Sequence, residues 1–279
     1  MTGRLWRKLP HRCGNLMQMI RLSMILHCLD WECLRNFNWE PMAGNHYFQF
    51  KQFTVQQENS AMKVGTDGVL LGSWVNVESC SRILDVGTGT GLIALMLAQR
   101  SEARITAIEI EVNAATEACN NVANSHWNSQ IAVKNSSYQD FAKSSEFQFD
   151  LIVSNPPFFQ DDLKAFSQER NLARHNDSLP FSDLVFYSAK SLSKSGRLAV
   201  ILPLEQAQVL EKLTRENGLF LIRKTEVRPN AKKPVNRVLM EFGTIEAAPV
   251  CDSLSVYALN GSEYSDEFIQ LTKDFYLRF

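Results

Sequence analysis

From Ser81 onward the sequence alternates short β-branched or apolar runs with longer helical patterns, and this alternation leaves few folds open. RILDVG (82–87), RITAIEI (104–110), IAVKN (131–135), FDLIVSN (149–155) and SGRLAVILP (195–203) read as strands. TGLIALMLAQR (90–100), EVNAATEACNNVANS (111–125), FSDLVFYSAKSL (181–192) and LEQAQVLEKLTREN (204–217) read as helices. Such runs stack as βαβ units around a parallel sheet. Ser182 is the expected N-cap of its helix, Gly196 the stop after it, and Gly218 the stop of the next. Two last runs, 219–227 and 236–243, are joined by the turn-rich RPNAKKPV with no helix between them, which requires antiparallel pairing. The expected fold is α/β: a doubly wound, Rossmann-like, seven-stranded, mostly parallel sheet with one antiparallel strand at its end. A helix over DEFIQLTKDFYL (266–277) is expected to pack against it.

Composition narrows the partners. The chain has 279 residues, 29 Lys and Arg against 30 Asp and Glu, and a formal net charge of -1, so a nucleic acid would have to be held by a local basic patch. Six scattered cysteines with no C-x-x-C pair suggest reduced thiols in a cytoplasmic protein, with neither a metal site nor a disulfide framework. No run reaches the roughly 18 apolar residues of a membrane span. A monomer is expected. Residues 1–41 differ from the rest: they hold Cys13, Cys28 and Cys33, three of the five tryptophans and five arginines, without turn punctuation. They read as an extension ahead of a natural start at Met42, the alternative being an amphipathic helix between Leu16 and Leu29. Residues 42–279 then form one domain with a short N-terminal arm, 42–80.

DVGTGTG (85–91) follows the first strand and opens the first helix. Gly87, Gly89 and Gly91 let the backbone turn tightly and approach a ligand where a Cβ would collide. The spacing is G-x-G-x-G, unlike the G-x-G-x-x-G of dinucleotide binders, which weakens the case for a pyrophosphate. About 20 residues further on, Glu109 ends the second strand, where a carboxylate can accept both hydroxyls of a ribose. Its neighbour Glu111 enters the following helix instead. Loop and acid on this sheet resemble the class I S-adenosylmethionine-dependent methyltransferases. The resemblance implies that Asp85 and the loop, Gly87, Thr88, Gly89 and Gly91, hold the methionine end of S-adenosylmethionine, and Glu109 its ribose. By position Ser137 falls where the family contacts the adenine, with Asp140 three residues on.

SNPPF (154–158) ends the fourth strand, whose carboxyl end borders the first in such a sheet. Two prolines fix φ and remove two N–H donors, leaving rigid carbonyl acceptors. Asn155 adds a side-chain carbonyl, so an NH2 group can be held by Asn155 and the Pro156 carbonyl while a planar substrate stacks on Phe158. Asn155, Pro156, Pro157 and Phe158 are the expected catalytic residues. An exocyclic amine is a poor nucleophile because its lone pair is delocalised; accepting both hydrogens favours the pyramidal form that can attack a methyl group in line. A dinucleotide-dependent oxidoreductase has no use for this motif.

NPP[YF] occurs in enzymes that methylate adenine N6, guanine N2 and the release-factor glutamine amide. The choice among them comes from FQFKQFTVQQENSAMKVGTDGVLLGSW (48–74), which closely resembles the opening of bacterial tRNA(Val) adenine-37 N6-methyltransferases; the match continues through DVGTGTGLIALMLAQR, SNPPF, LARHNDSLPF, NRVLMEF and FYLRF. The family often has tyrosine at the position of Phe158. The resemblance implies methyl transfer to N6 of adenine 37 in the anticodon loop of tRNA(Val), with Lys63, Thr66 and Asp67 closing over the cofactor from the arm. Phosphate contacts are expected from Arg223, Lys224, Arg228, Lys232, Lys233 and Arg237 on a protruding hairpin, joined by Arg170, Arg174 and His175.

Overall fold

The computed structural model describes residues 46–60, 62–157 and 179–279. The arm contributes a small antiparallel hairpin, β1 (Tyr47–Gln49) and β2 (Thr54–Gln56), and helix α1 (Thr66–Trp74). Then follow β3 (Arg82–Val86), α2 (Leu92–Arg100), β4 (Arg104–Glu109), α3 (Val112–Ala123), β5 (Ile131–Asn135), α4 (Tyr138–Ser144) and β6 (Phe149–Ser154). Further along the chain come α5 (Phe181–Ser191), β7 (Leu192–Leu202), α6 (Leu204–Glu216), β8 (Phe220–Arg228), β9 (Arg237–Gly243), β10 (Val250–Ser255) and α7 (Asp266–Thr272).

The main sheet runs β10-β8-β9-β7-β6-β3-β4-β5. All seven expected strands are there, and β9 is the reversed one, lying between β7 and β8 instead of at the sheet's edge. An eighth strand, β10, is added in parallel to β8. VCDSLS has no apolar alternation because most of it faces solvent at that edge, so only the pairing reveals it. Along each central strand the two-residue period sends alternate side chains to opposite faces. Ile83, Ile105, Leu151, Val153 and Ile201 meet α1, α2 and α7 on one side, while Leu84, Val86, Ile152, Leu198 and Val200 meet α4, α5 and α6 on the other. This is why the strands read as continuous apolar runs.

Two boundary expectations change. The cap before α5 is Pro180 in an extended conformation with no side-chain bond, so Ser182 sits inside the first turn. Gly196 does not stop α5, which ends at Ser191; it lies within β7, where a bulge opposes Phe149. A Cβ at Gly196 would stand 2.7 Å from the Phe149 carbonyl and 2.8 Å from the Ser193 nitrogen, so close backbone approach is the reason for glycine there. Gly218 does close α6, with φ of 76°.

Strand order reverses between β3 and β6, and that point creates a crevice beyond their carboxyl ends. The register pairs Val86 with Ser154, and the Ser154 hydroxyl donates to the Val86 carbonyl at 2.9 Å. Gly87 and Asn155 therefore leave adjacent strands at the same level.

Candidate active site

The turn after β3 is held by its neighbour strand. Both Gly87 N–H and Thr88 N–H donate to the Ile108 carbonyl at 3.0 Å, which bends the chain outward past the end of β4. The bend needs φ of 72° at Gly87 and 54° at Gly89, values that favour glycine. A Cβ at either position would meet no atom of the described residues within 4 Å, so among these residues the loop borders open space where a ligand has direct access to the backbone. Gly91 then caps α2.

Asp85 is fully buried beneath this loop. Its Oδ2 accepts from the Thr88 hydroxyl at 2.6 Å, and its Oδ1 has no partner among the described residues. Burial pushes its pKa up to about 7, opposed by the bond from Thr88 and by the weaker pull of the nearby Ala94 N–H, with a smaller push from the charge of Glu109.

Glu109 closes the other side. Its Oε2 accepts from Gly89 N–H at 2.9 Å and its Oε1 from Glu111 N–H at 3.0 Å. Glu111 turns away: it caps α3, accepting from Asn113 N–H at 3.0 Å and Ala114 N–H at 2.7 Å, and these bonds hold its pKa low. The two acids are thus separated as their positions implied. Beside Glu109 opens a cavity of about 420 Å³ lined by Gly87, Ile110, Ser137, Asp140 and Leu179 among others. The Ser137 hydroxyl is engaged in the cap of α4, accepting from Asp140 N–H and donating to the Asp140 carboxylate. Ile110, 48% exposed, and Leu179 give this cavity apolar walls that sequence reasoning missed. A lone apolar residue after a strand's last acid carries no signal in the sequence.

Across the crevice, Asn155 is half-buried and its Oδ1 is a buried acceptor without a partner among the described residues. Pro156 is buried and Pro157 exposed. Phe158, Arg170, Arg174 and His175 lie outside the described residues.

On the arm, Lys63 is exposed and Thr66 begins α1. Asp67, assigned to the cofactor side, is joined to Arg237, assigned to RNA: Nε to Oδ2 is 2.7 Å, with both side chains about a quarter exposed. Arg223 is likewise turned inward, its guanidinium 4.1 Å above the Trp74 ring and donating to the Trp74 carbonyl at 3.1 Å. Trp74 in turn donates to the Thr225 hydroxyl. These contacts fasten α1 to β8 and β9 at both ends. Arg228 pairs with Glu226 at 3.2 Å, and Lys224 lies half-exposed on the opposite face of β8 from Arg223. Only Lys232 and Lys233, in the turn between β8 and β9, are fully presented to solvent. The basic run is therefore divided between internal struts and a smaller exposed turn.

Sequence reasoning also missed the fastening of the arm to α3. Glu117, 4% exposed, accepts from the N–H groups of Glu58, Asn59 and Ser60 at 2.6, 3.0 and 3.0 Å and from the Ser60 hydroxyl. One turn on, Asn121 accepts from Gln56 N–H and donates to the carbonyls of Gln56 and Thr90. The available signal was two polar residues at i and i+4 within the stripe formed by Ala114, Ala118 and Val122.

The model of the methyltransferase small domain family matches residues 59–215. A tRNA1(Val) (adenine(37)-N6)-methyltransferase of Parabacteroides distasonis is 47% identical over 235 residues, covering 84% of this chain and 99% of that protein. One from Trichodesmium erythraeum is 46% identical over 241 residues, covering 85% and 100%. A crystal structure described as a predicted O-methyltransferase from Agrobacterium tumefaciens superposes with a TM-score of 0.59 at 18% identity over 75% of this chain and 96% of that one, a likeness of fold alone. The chain belongs to the methyltransferase small domain family and, within it, to the bacterial proteins named tRNA1(Val) (adenine(37)-N6)-methyltransferases.

Proposed function

We propose that this protein transfers a methyl group to N6 of adenine 37 in the anticodon loop of tRNA(Val), in the cytoplasm. S-adenosylmethionine is the methyl donor of the family and, when bound, supplies an electrophilic methyl on a positively charged sulfur. The residues present fit it: among the described residues, a buried carboxyl oxygen on Asp85 without a partner, a glycine turn bordered by open space, and Glu109 lining a cavity of about 420 Å³. In this reading Asp85 takes the ammonium of the methionine end. Gly87, Thr88, Gly89 and Gly91 shape the cradle, and Glu109 accepts from the ribose with the lone pairs its two backbone bonds leave over. Ile110 and Leu179, which line the cavity, would hold the cofactor's adenine by apolar contact. Because the Ser137 hydroxyl is engaged in its helix cap, it contributes by positioning that turn. Lys63, exposed on the arm, would close over the cofactor, while Thr66 and Asp67 set the start of α1.

The reaction itself rests on one observation, the buried Oδ1 of Asn155 at the β3/β6 crevice, which has no partner among the described residues. It would accept one hydrogen of the target amine and the Pro156 carbonyl the other, which favours the pyramidal nitrogen whose lone pair can attack a donor methyl group held in the crevice. Pro157 keeps this turn rigid, and Phe158 supplies the stacking surface. An anticodon-loop base is stacked but unpaired, and extruding it costs only a few kcal/mol. The relatives' substrate supports adenine as the base. Methyl transfer from labelled S-adenosylmethionine to RNA from cells lacking the protein, followed by nucleoside analysis, tests the reading. N6-methyladenosine confined to one tRNA is expected; methylguanosine or labelled protein would overturn it.

The raised pKa of Asp85 gives cofactor binding a pH dependence with a definite sign. A carboxyl that is protonated below pH 7 must ionise to hold an ammonium, so affinity falls as pH drops. For a pKa of about 7 the dissociation constant is about tenfold weaker at pH 6 than at pH 8. Calorimetry at the two pH values checks this, with Asp85→Asn binding more weakly and without the pH dependence; a flat wild-type profile would reject the raised pKa, and unchanged affinity in Asp85→Asn would exclude the role.

For the RNA, the exposed turn is the expected phosphate-binding element. Replacing Lys232 and Lys233 together with alanine removes up to two counterion-releasing charges, and each phosphate left unneutralised lowers the slope of log K against log salt by about 0.7 to 0.9. An unchanged slope would reject this face.

A further inference from the structure

The turn carrying Lys232 and Lys233 does not stand alone. The chain that leaves β10 runs beside it: Val256 N–H donates to the Arg228 carbonyl at 2.9 Å and Tyr257 N–H to the Pro229 carbonyl at 2.8 Å. Asn230 organises the turn, accepting from Lys232 N–H through its side chain and from Lys233 N–H through its carbonyl. Tyr257 is thereby fixed directly against the basic turn.

Its ring is the outer member of a ladder. Tyr257 stacks on Tyr264 with centroids 5.2 Å apart and planes within 16°, and Tyr264 stacks on Phe268 at 4.9 Å and 15°. Phe268 is 1% exposed, whereas Tyr264 and Tyr257 are 36% and 37% exposed. Phe268 roots the ladder in the core, in the first turns of α7, which Ser265 caps by accepting from the Phe268 N–H. The Glu263 carboxylate on the connecting turn is engaged by the Asn260 side chain at 3.1 Å. A rigid, exposed aromatic ring whose backbone is bonded to the chain leading into a cationic turn has the chemistry of a nucleobase platform: the cations take phosphate and the ring takes the π-face of an unpaired base. It lies on the sheet edge that carries Asn155, since β8 and β10 run parallel to β6. Four strand spacings separate β10 from β6, about 20 Å at ~4.8 Å each. That span keeps Tyr257 clear of the methyl-transfer crevice but within reach of the same RNA.

We propose that Tyr257, backed by Tyr264 and Phe268, is a second RNA contact that stacks on an unpaired base of the substrate outside the methyl-transfer crevice. This rests on the reading that the Lys232–Lys233 turn faces RNA. The test compares Tyr257→Ala, Tyr257→Leu and Tyr257→Phe with the Lys232/Lys233 double alanine variant, using full-length protein and a tRNA(Val) transcript. Leucine preserves apolar packing without a π-face, and phenylalanine preserves stacking. The alanine and leucine variants are expected to bind the transcript about tenfold more weakly, with the salt slope and S-adenosylmethionine affinity unchanged. The phenylalanine variant is expected to stay within about twofold of the parent. If the lysine variant loses slope while Tyr257→Leu binds like the parent, the stacking proposal fails and the basic-turn reading stands. If neither changes binding, both fail. A leucine variant whose cofactor affinity falls in parallel with RNA affinity would mark Tyr257 as structural and likewise overturn the proposal.

Discussion

Asn155→Ala is expected to lower kcat by about 10²- to 10³-fold, the range seen when one preorganised polar contact to a transition state is removed. The reason lies in what Asn155 does not contact. Its neighbour Ser154 bonds to Val86 and so holds the strand ends together, whereas Asn155 Oδ1 is buried with no partner among the described residues. A buried acceptor left unmade disfavours the free protein by about 1–3 kcal/mol. Its removal should therefore leave unfolding stability unchanged or slightly raised. Loss of turnover without loss of stability, and with S-adenosylmethionine affinity preserved, separates a catalytic acceptor from a rigid strand ending. A variant within fivefold of the parent in kcat, or one whose activity loss tracks a lowered melting temperature, would remove Asn155 from the chemistry.

Glu117→Ala is expected to have the largest effect on stability. The substitution strips the acceptor from three backbone N–H groups and one hydroxyl; Glu58 and Asn59 are exposed and can turn to water, but the N–H and hydroxyl of buried Ser60 are left without a partner. At about 1–3 kcal/mol per orphaned donor, and with partial relaxation of the loop, the loss is about 4 kcal/mol. Denaturant unfolding measures it. The effect also reaches function, because residues 58–60 launch the segment that carries Lys63 and the start of α1. Below the variant's unfolding temperature, KM for S-adenosylmethionine is expected to rise about tenfold with kcat little changed. A stability loss with an unaltered KM would confine Glu117 to holding the fold.

The features that were legible in the sequence are those whose causes are local. A glycine turn after a buried strand, an acid some 20 residues on and an Asn-Pro-Pro ending each announce a backbone requirement within a few residues of themselves. Helix caps were less legible. Ser182 has the right residue type for a cap, but Pro180 already sets the extended conformation before α5. Gly196 looked like a helix stop, and its reason proved to be a backbone 47 residues away, at Phe149. β10 left no pattern because an edge strand with little burial is free to be polar.

Charge was the hardest to read, and the strand period explains why. On β8, Arg223, Thr225 and Val227 face α1, while Lys224, Glu226 and Arg228 face the other way, so a run that looks like one basic surface is split in two. The sequence by itself determined the parallel sheet, the glycine turn after β3, the Glu109 and Glu111 division and the Asn155 turn, because spacing along the chain dictates each of them. Only the tertiary structure decided that Arg223 lies on Trp74, that Arg237 is held by Asp67, and that Glu117 anchors the arm. Those partners are 149, 170 and 59 residues apart in the chain, brought together by strand register and helix docking. A charged side chain's role is set by which opposite charge, ring or backbone donor the fold delivers to it, and no local pattern encodes that.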